Sequence, residues 1–163
     1  MTWHVIMTKP QKESFALKKL SEQAFTMYCP LRRHEKIVHH KRVIKHLPLF
    51  PRYVFIQQDE RFLQQQHVIR STPGVSQLIK HGEIIIPVHD EVIDSIRSLE
   101  QSYQGVTERY FIKDESVRIR AGIYKDLEAI YLRDDGEQRA ILLVQLLQTN
   151  ATLSVDKTSL QRI

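Results

Sequence analysis

The run Leu47-Pro48-Leu49-Phe50-Pro51-Arg52-Tyr53-Val54-Phe55-Ile56 constrains this chain more than any other stretch. Proline cannot donate to a strand ladder, so Pro48 and Pro51 fence an extended segment instead of sitting inside one. Side chains alternate across a strand, which puts Tyr53 and Phe55 on one face and Val54 and Ile56 on the other. Both faces are apolar, so both need cover. One can be a core; the other needs a second layer, a second domain or a partner protein.

The surrounding sequence supplies much of that cover. Trp3 to Thr8 is apolar and β-prone, a first strand. Pro10 suits a helix's first turn, and Gln11 to Phe25 reads as an amphipathic helix with Ala16, Leu17, Leu20 and Ala24 as its buried stripe. Lys12, Lys19 and Gln23 recur at helical spacing on a different face. Residues 59–68 read as a short polar helix, Thr72-Pro73-Gly74-Val75 as a turn, and 75–80 and 83–87 as strands. His89 to Leu99 reads as a helix whose apolar face is Val92, Ile93, Ile96 and Leu99. Alternating strands and helices over residues 1–100 predict an α/β sandwich. The pattern dissolves over 101–113, the expected linker, and residues 114–163 form a small second domain.

That second domain supports two readings. As strands, Val117/Ile119, Leu127/Ala129/Tyr131 and Leu142/Val144/Leu146 alternate like a small barrel. As helices, Ile123, Leu127, Ile130 and Tyr131 share one face, and Ala140 to Leu147 is rich in helix-favouring Ala and Leu. Arg133-Asp134-Asp135-Gly136 would turn either a pair of strands or a pair of helices.

The net charge of +5 is concentrated in one place. Residues 32–46 hold Arg32, Arg33, Lys36, Lys41, Arg42 and Lys45 against the single acid Glu35, and the rest of the chain balances. Ile37-Val38 and Val43-Ile44 flank His39-His40-Lys41-Arg42, the pattern of a projecting hairpin without a Gly or Asn at its tip. A basic projection points to a polyanion such as nucleic acid. Catalysis has little support: the chain has 5 Gly and no phosphate-cradling loop, no G-x-S-x-G, and His and Cys spacings that match no metal motif. Neither a cofactor nor a metal is expected. One cysteine, Cys29, excludes an intramolecular disulfide and fits a reducing cytoplasm. No apolar run is long enough to suggest a membrane span, and no secretion leader is evident.

These residues resemble a known family. A strand with Trp3, a helix near 10–25, Pro30 before a basic hairpin, Pro48-Leu49-Phe50-Pro51-x-Tyr53-Val54-Phe55 and Thr72-x-Gly74-Val75 look like the N-terminal domain of NusG-type transcription elongation factors. Val117-Arg118-Ile119 through Gly122 to Ala140-Ile141-Leu142-Leu143 resembles the family's KOW domain. Glu35-Lys36-Ile37-Val38, Lys41-Arg42 and Asp135-Gly136-Glu137-Gln138-Arg139 are most similar to the operon-specific antiterminators of the family, the RfaH-like proteins.

The resemblance implies a non-enzymatic, monomeric antiterminator that rides on RNA polymerase and suppresses pausing and termination. The clamp helices of the largest polymerase subunit would meet Met7, Tyr53, Phe55, Ile93 and Ile96, and the gate loop would meet Gln64-Gln65-Gln66-His67. The exposed non-template DNA strand would meet Lys9, Lys12, Lys19, Gln23, Arg70 and Thr72. The hairpin residues Arg32, Arg33, Lys36, Lys41 and Arg42 would steady the DNA backbone. The tail would be either a five-stranded KOW barrel, able to recruit a small-subunit ribosomal protein, or an autoinhibitory helical hairpin joined to the front domain around Leu47, Arg139, Ile130 and Leu142. This chain has Leu47 where the family's interdomain ion pair uses an acid, Pro73 where RfaH-like proteins have Arg, and Lys19 where they have His. It also has Asp114 and Asp126 in place of two KOW turn glycines. The reading from another class is an RNA-binding KOW protein of ribosome assembly or translation.

Overall fold

The computed structural model describes residues 1–104, 130 and 135–160. Strand β1 (Thr2–Thr8) is the centre of an antiparallel sheet ordered β2 (Met27–Tyr28), β5 (Tyr53–Gln57), β1, β6 (Val75–Leu78), with β9 (Val88–His89) pairing the start of β1. The register sets Val5 opposite Phe55 and Ile6 opposite Val54. Opposed residues share a face, so the alternation of both strands reinforces the same two faces.

Each face has its own core. Ile6, Val54 and Ile56 pack with Ala16 and Leu20 of helix α1 (Glu13–Glu22), Phe62 of α2 (Glu60–Gln64) and Ile69 of α3 (Gln66–Ser71). Trp3, Val5 and Phe55 pack on the other side with Leu49, Phe50, and Val92, Ile93 and Ile96 of α4 (Asp90–Gln104). The two-layer cover expected of the Pro-fenced strand is therefore present on both faces. The single helix expected over 59–68 is two short ones. The first is capped by Asp59, whose carboxylate accepts the Phe62 amide at 2.7 Å. Two small strands, β7 (Lys80–His81) and β8 (Ile84–Ile85), pair beyond β6.

The expected boundaries shift where a local device ends or prolongs an element. Helix α1 starts two residues after Gln11, which adopts a φ of +59°, and ends before Ala24, which adopts +66°. Ala24 is thereby exposed instead of part of the buried stripe. Helix α4 continues to Gln104, into the segment expected as linker. The Glu100 carboxylate fastens it there, accepting the Tyr28 hydroxyl at 2.7 Å and the Leu31 amide at 3.1 Å. Arg97 lies over the rings of both Trp3 and Tyr28, at 5.7 and 5.3 Å.

The projecting hairpin is β3 (Leu31–Val38) with β4 (Lys41–Pro48), in continuous register from Leu31↔Pro48 to Val38↔Lys41. Its tip is a two-residue turn in which His39 and His40 both adopt positive φ, +50° and +63°. That is the geometry whose twist suits a tight hairpin, and it ordinarily recruits Asn-Gly. Histidine tolerates the left-handed region better than most residues, which is how this tip closes without glycine.

Helix α5 (Gly136–Leu160) settles the shape of the tail over its length: a helix, not the strands of a barrel. Asp135 caps it, its carboxylate accepting the Glu137 amide at 2.9 Å and its carbonyl the Arg139 amide at 3.0 Å. Arg139, Ala140, Leu143, Leu146 and Leu147 are buried, following the 3.6-residue period. The strand reading required Leu142, Val144 and Leu146 to share a face. In the helix Leu142 and Val144 are only half-buried. Residues 114–129, with Asp114, Asp126 and the remaining candidate strands, lie outside the described residues.

Two local arrangements set expectations for stability. Glu13 is buried and its carboxylate accepts the amide of Arg52 at 2.8 Å, holding the turn in which Arg52 adopts a φ of +72°. Glu13→Ala strands that amide and should cost about 1–3 kcal/mol in urea unfolding. A side chain at Gly136 would come within 2.9 Å of the Pro51 ring, which has no flexible end to give way. Gly136→Val should lift the first turn of α5 and speed its amide exchange by roughly five- to a hundred-fold through overpacking, while β1 and β5 keep their protection.

Candidate functional site

Three surfaces collect the residues singled out from the sequence. The first is the sheet face around Phe55. Phe55, Ile93 and Ile96 are fully buried, and Met7 and Tyr53 are half-buried at the edge of the same cluster. What buries them includes the tail: Ile130, Ala140, Leu143, Leu146 and Leu147 belong to that cluster. The candidate polymerase-binding residues are thus brought together, and the chain's own helix α5 covers them. The fit leaves a hollow of about 300 Å³ bordered by Met7, Tyr53, Ile79, Val144 and Gln148.

The join between tail and front domain differs from the expectation in its chemistry. Arg139 is 1 % exposed and its Nε donates to the main-chain carbonyl of Leu49 at 2.9 Å. Leu47, the residue standing in the acid's place, is half-buried at the wall of a cleft of about 800 Å³ between the hairpin root, Tyr53 and the start of α5. A backbone carbonyl near position 47 is thus one of the acceptors of the arginine in this chain. Ile130 is buried in the shared cluster and Leu142 packs against it.

The second surface runs along α1. Lys9, Lys12 and Arg70 are exposed. Lys19 is half-buried and paired with Glu22 at 3.0 Å. Gln23 caps the helix, and its side-chain nitrogen donates to the Lys19 carbonyl and to Thr72 Oγ1, each at 3.1 Å. Thr72 is buried, and its hydroxyl donates to the Val68 carbonyl at 2.8 Å. The resemblance implies a DNA contact at Thr72; in the structure its hydroxyl accepts from Gln23 and donates to Val68 within the fold. Residue spacing misses two neighbours. Arg61 Nη1 donates to the Gln23 carbonyl at 2.9 Å, and Phe15 stands exposed beside Lys12. Phe15 is detectable as a large apolar residue off the Ala16/Leu20 stripe.

The third surface is the hairpin, and its register divides the charge unequally. Arg32, His34, Lys36, Lys41 and Lys45 fall on one face with no acid among them. Arg33 and Arg42 fall on the other, where both pair with Glu35: Arg33 Nη2 at 3.1 Å and Arg42 Nε at 2.8 Å. Exposed Ile37 and Ile44 share that second face. Arg33 and Arg42, expected on the DNA backbone with the others, are turned to Glu35, and Lys45 joins the acid-free face in their stead.

Among the described residues no group of His, Cys, Asp and Glu is placed to hold a metal ion, and no helix is long and apolar enough to cross a membrane. Burial pushes the Cys29 thiol up to about 12, so it is a protonated, unreactive thiol at neutral pH. Burial, reinforced by the bond to Glu100, raises the Tyr28 hydroxyl as well, which keeps that donor protonated.

Two comparisons bear on identity. A solved structure concerning domain interaction in Thermotoga maritima NusG is similar at a TM-score of 0.44, with 19% identity over 72% of this chain and 68% of that one. The family model for the transcription termination factor nusG matches residues 1–97, which takes in the sheet, helices α1 to α3, the hairpin and the start of α4. By that match over more than half its length, the chain belongs to the NusG family.

Proposed function

We propose that this protein is an operon-specific antiterminator of the RfaH-like kind, held inactive by its tail until a transcribing polymerase releases it. Family membership carries a role in transcription elongation and termination, and NusG-family factors bind RNA polymerase. The observation that supports the finer reading is the seating of α5 in the cluster of Phe55, Ile93 and Ile96. An apolar face reserved for a partner is a liability when bare, and an intramolecular helix is one way to cover it.

On this reading the clamp helices compete with α5 for one surface. Binding requires the tail to leave, so the apparent affinity falls by the fraction of molecules that are open. Released, the tail is free to take another fold, the KOW barrel that could recruit a small-subunit ribosomal protein. The α1 surface contacts the non-template DNA strand, lysines to phosphate and Gln23 to a base edge. The hairpin steadies upstream duplex without reading its sequence.

The decisive measurement is binding to a polymerase clamp-helix fragment. Leu143→Glu buries a charge in the docked state and leaves the front domain intact, so it should raise affinity by about tenfold or more. Adding Tyr53→Ala to that variant should remove the gain. Unchanged binding by Leu143→Glu would mean that α5 does not guard the site.

The two hairpin faces make a separate expectation. Combined Lys36→Ala and Lys41→Ala should flatten the salt dependence of duplex binding by roughly 0.9 for each phosphate no longer neutralised. Arg33→Ala with Arg42→Ala should flatten it less, because Glu35 already compensates that pair.

A further inference from the structure

Phe15 breaks the pattern of the helix that carries it. The buried stripe of α1 is Ala16 and Leu20, and Phe15 lies outside it with 42 % of its surface exposed. The Nζ of Lys12 is 5.6 Å from the ring centroid. The ring edge rests on Gly74: a Cβ there would be 2.9 Å from Phe15 Cδ1. Gly74, at a φ of +90°, also accepts the Lys9 amide on its carbonyl at 2.9 Å. A residue with a side chain at 74 would both strain the turn and push the ring away.

Cations lie beside this ring: Lys12 is over it, the Lys9 amide bonds the Gly74 carbonyl behind its edge, and Lys19 lies one helical turn on. Of the acids of α1, Glu13 takes the Arg52 amide and Glu22 offsets Lys19, which leaves Lys9 and Lys12 as the cations beside the ring that neither acid engages. An exposed aromatic ring beside cations is the combination that binds single strands, the cations following phosphates while a base stacks on the ring.

We propose that Phe15 is a stacking platform for one unpaired base of a DNA strand lying along α1, with Gly74 holding the ring in place. The proposal rests on the reading of this surface as the non-template DNA contact and adds to it the residue that grips a base. Stacking on a ring is tolerant of base identity, so Phe15 supplies affinity and register while discrimination falls to Gln23.

The test uses the full chain and a fluorescein-labelled single strand of mixed sequence, about 12 nucleotides long, which suits the site sizes of such grooves. A second strand carries 2-aminopurine, whose fluorescence is quenched on stacking. Phe15→Leu keeps an apolar contact with Gly74 but has no π face, and should weaken binding by about five- to a hundred-fold with the quench abolished and the salt slope unchanged. Phe15→Trp should restore both. Lys12→Ala should instead reduce the salt slope by roughly one. Equal thermal unfolding of wild type and Phe15→Leu confirms that the weakening is not misfolding. Wild-type affinity and quench in Phe15→Leu would overturn the stacking role and leave the DNA surface standing. Failure of the wild type to bind any single strand would overturn both. Tighter binding of the matching RNA, with the same dependence on Phe15, would overturn the assignment to DNA.

Discussion

The pairing of β1 with β5 is the interaction on which the other surfaces depend. Val5 opposite Phe55 and Ile6 opposite Val54 make a sheet that is apolar on both sides. Such a sheet cannot face water on either side, so the chain must supply two covers. Helices α1 to α3 form a permanent one, with full burial of Ala16, Leu20 and Ile69. The other is divided between α4, continuous with the same domain, and α5, which arrives from the tail. The division leaves part of the second face to the tail, since α4 does not close it alone.

Position along the chain also explains why the functional surfaces differ in character. Residues at odd positions of β1 and β5 look toward the tail; those at even positions look toward α1. The polymerase-facing candidates Met7, Tyr53 and Phe55 therefore arise on the opposite side of the sheet from the Lys9–Arg70 surface. The two candidate surfaces lie on opposite sides of the sheet, so occupation of one leaves the other open. The hairpin leaves the body from a root fixed by the Leu49 amide donating to the Pro30 carbonyl at 2.8 Å and by Glu100 on the Leu31 amide. It carries its charge away from both surfaces.

Much of this is legible in the sequence, for a physical reason. Strands buried on both sides declare themselves through prolines and unbroken apolar runs, so the Leu47–Ile56 block and its two-face alternation can be read directly. The tail cannot be read because Ala140 to Leu147 is apolar at nearly every position, and a run of that kind satisfies periods of 2 and 3.6 alike. Packing decides between them, and here Leu143, Leu146 and Leu147 meet Phe55 as a helix. The end of α4 is hidden because its last turns are held by a distant bond, Glu100 to Tyr28, that no local pattern encodes. Arg33 and Arg42 look alike to the other hairpin cations because their separation depends on strand register, which sets Glu35 between them. That the Thr72 hydroxyl is used twice within the fold is not legible, because both of its partners come together only through the packing of α1 on α3.

The bond from Arg139 to the Leu49 carbonyl has a consequence for how the tail behaves over time and condition. A carboxylate acceptor can vanish through a single codon change and be neutralised by acid. A main-chain carbonyl belongs to every residue that could occupy position 49 and binds no proton in the physiological range. Substitutions there would alter packing but leave the acceptor. This bond is accordingly indifferent to pH on its acceptor side, and so is the share of the tail's attachment that it carries.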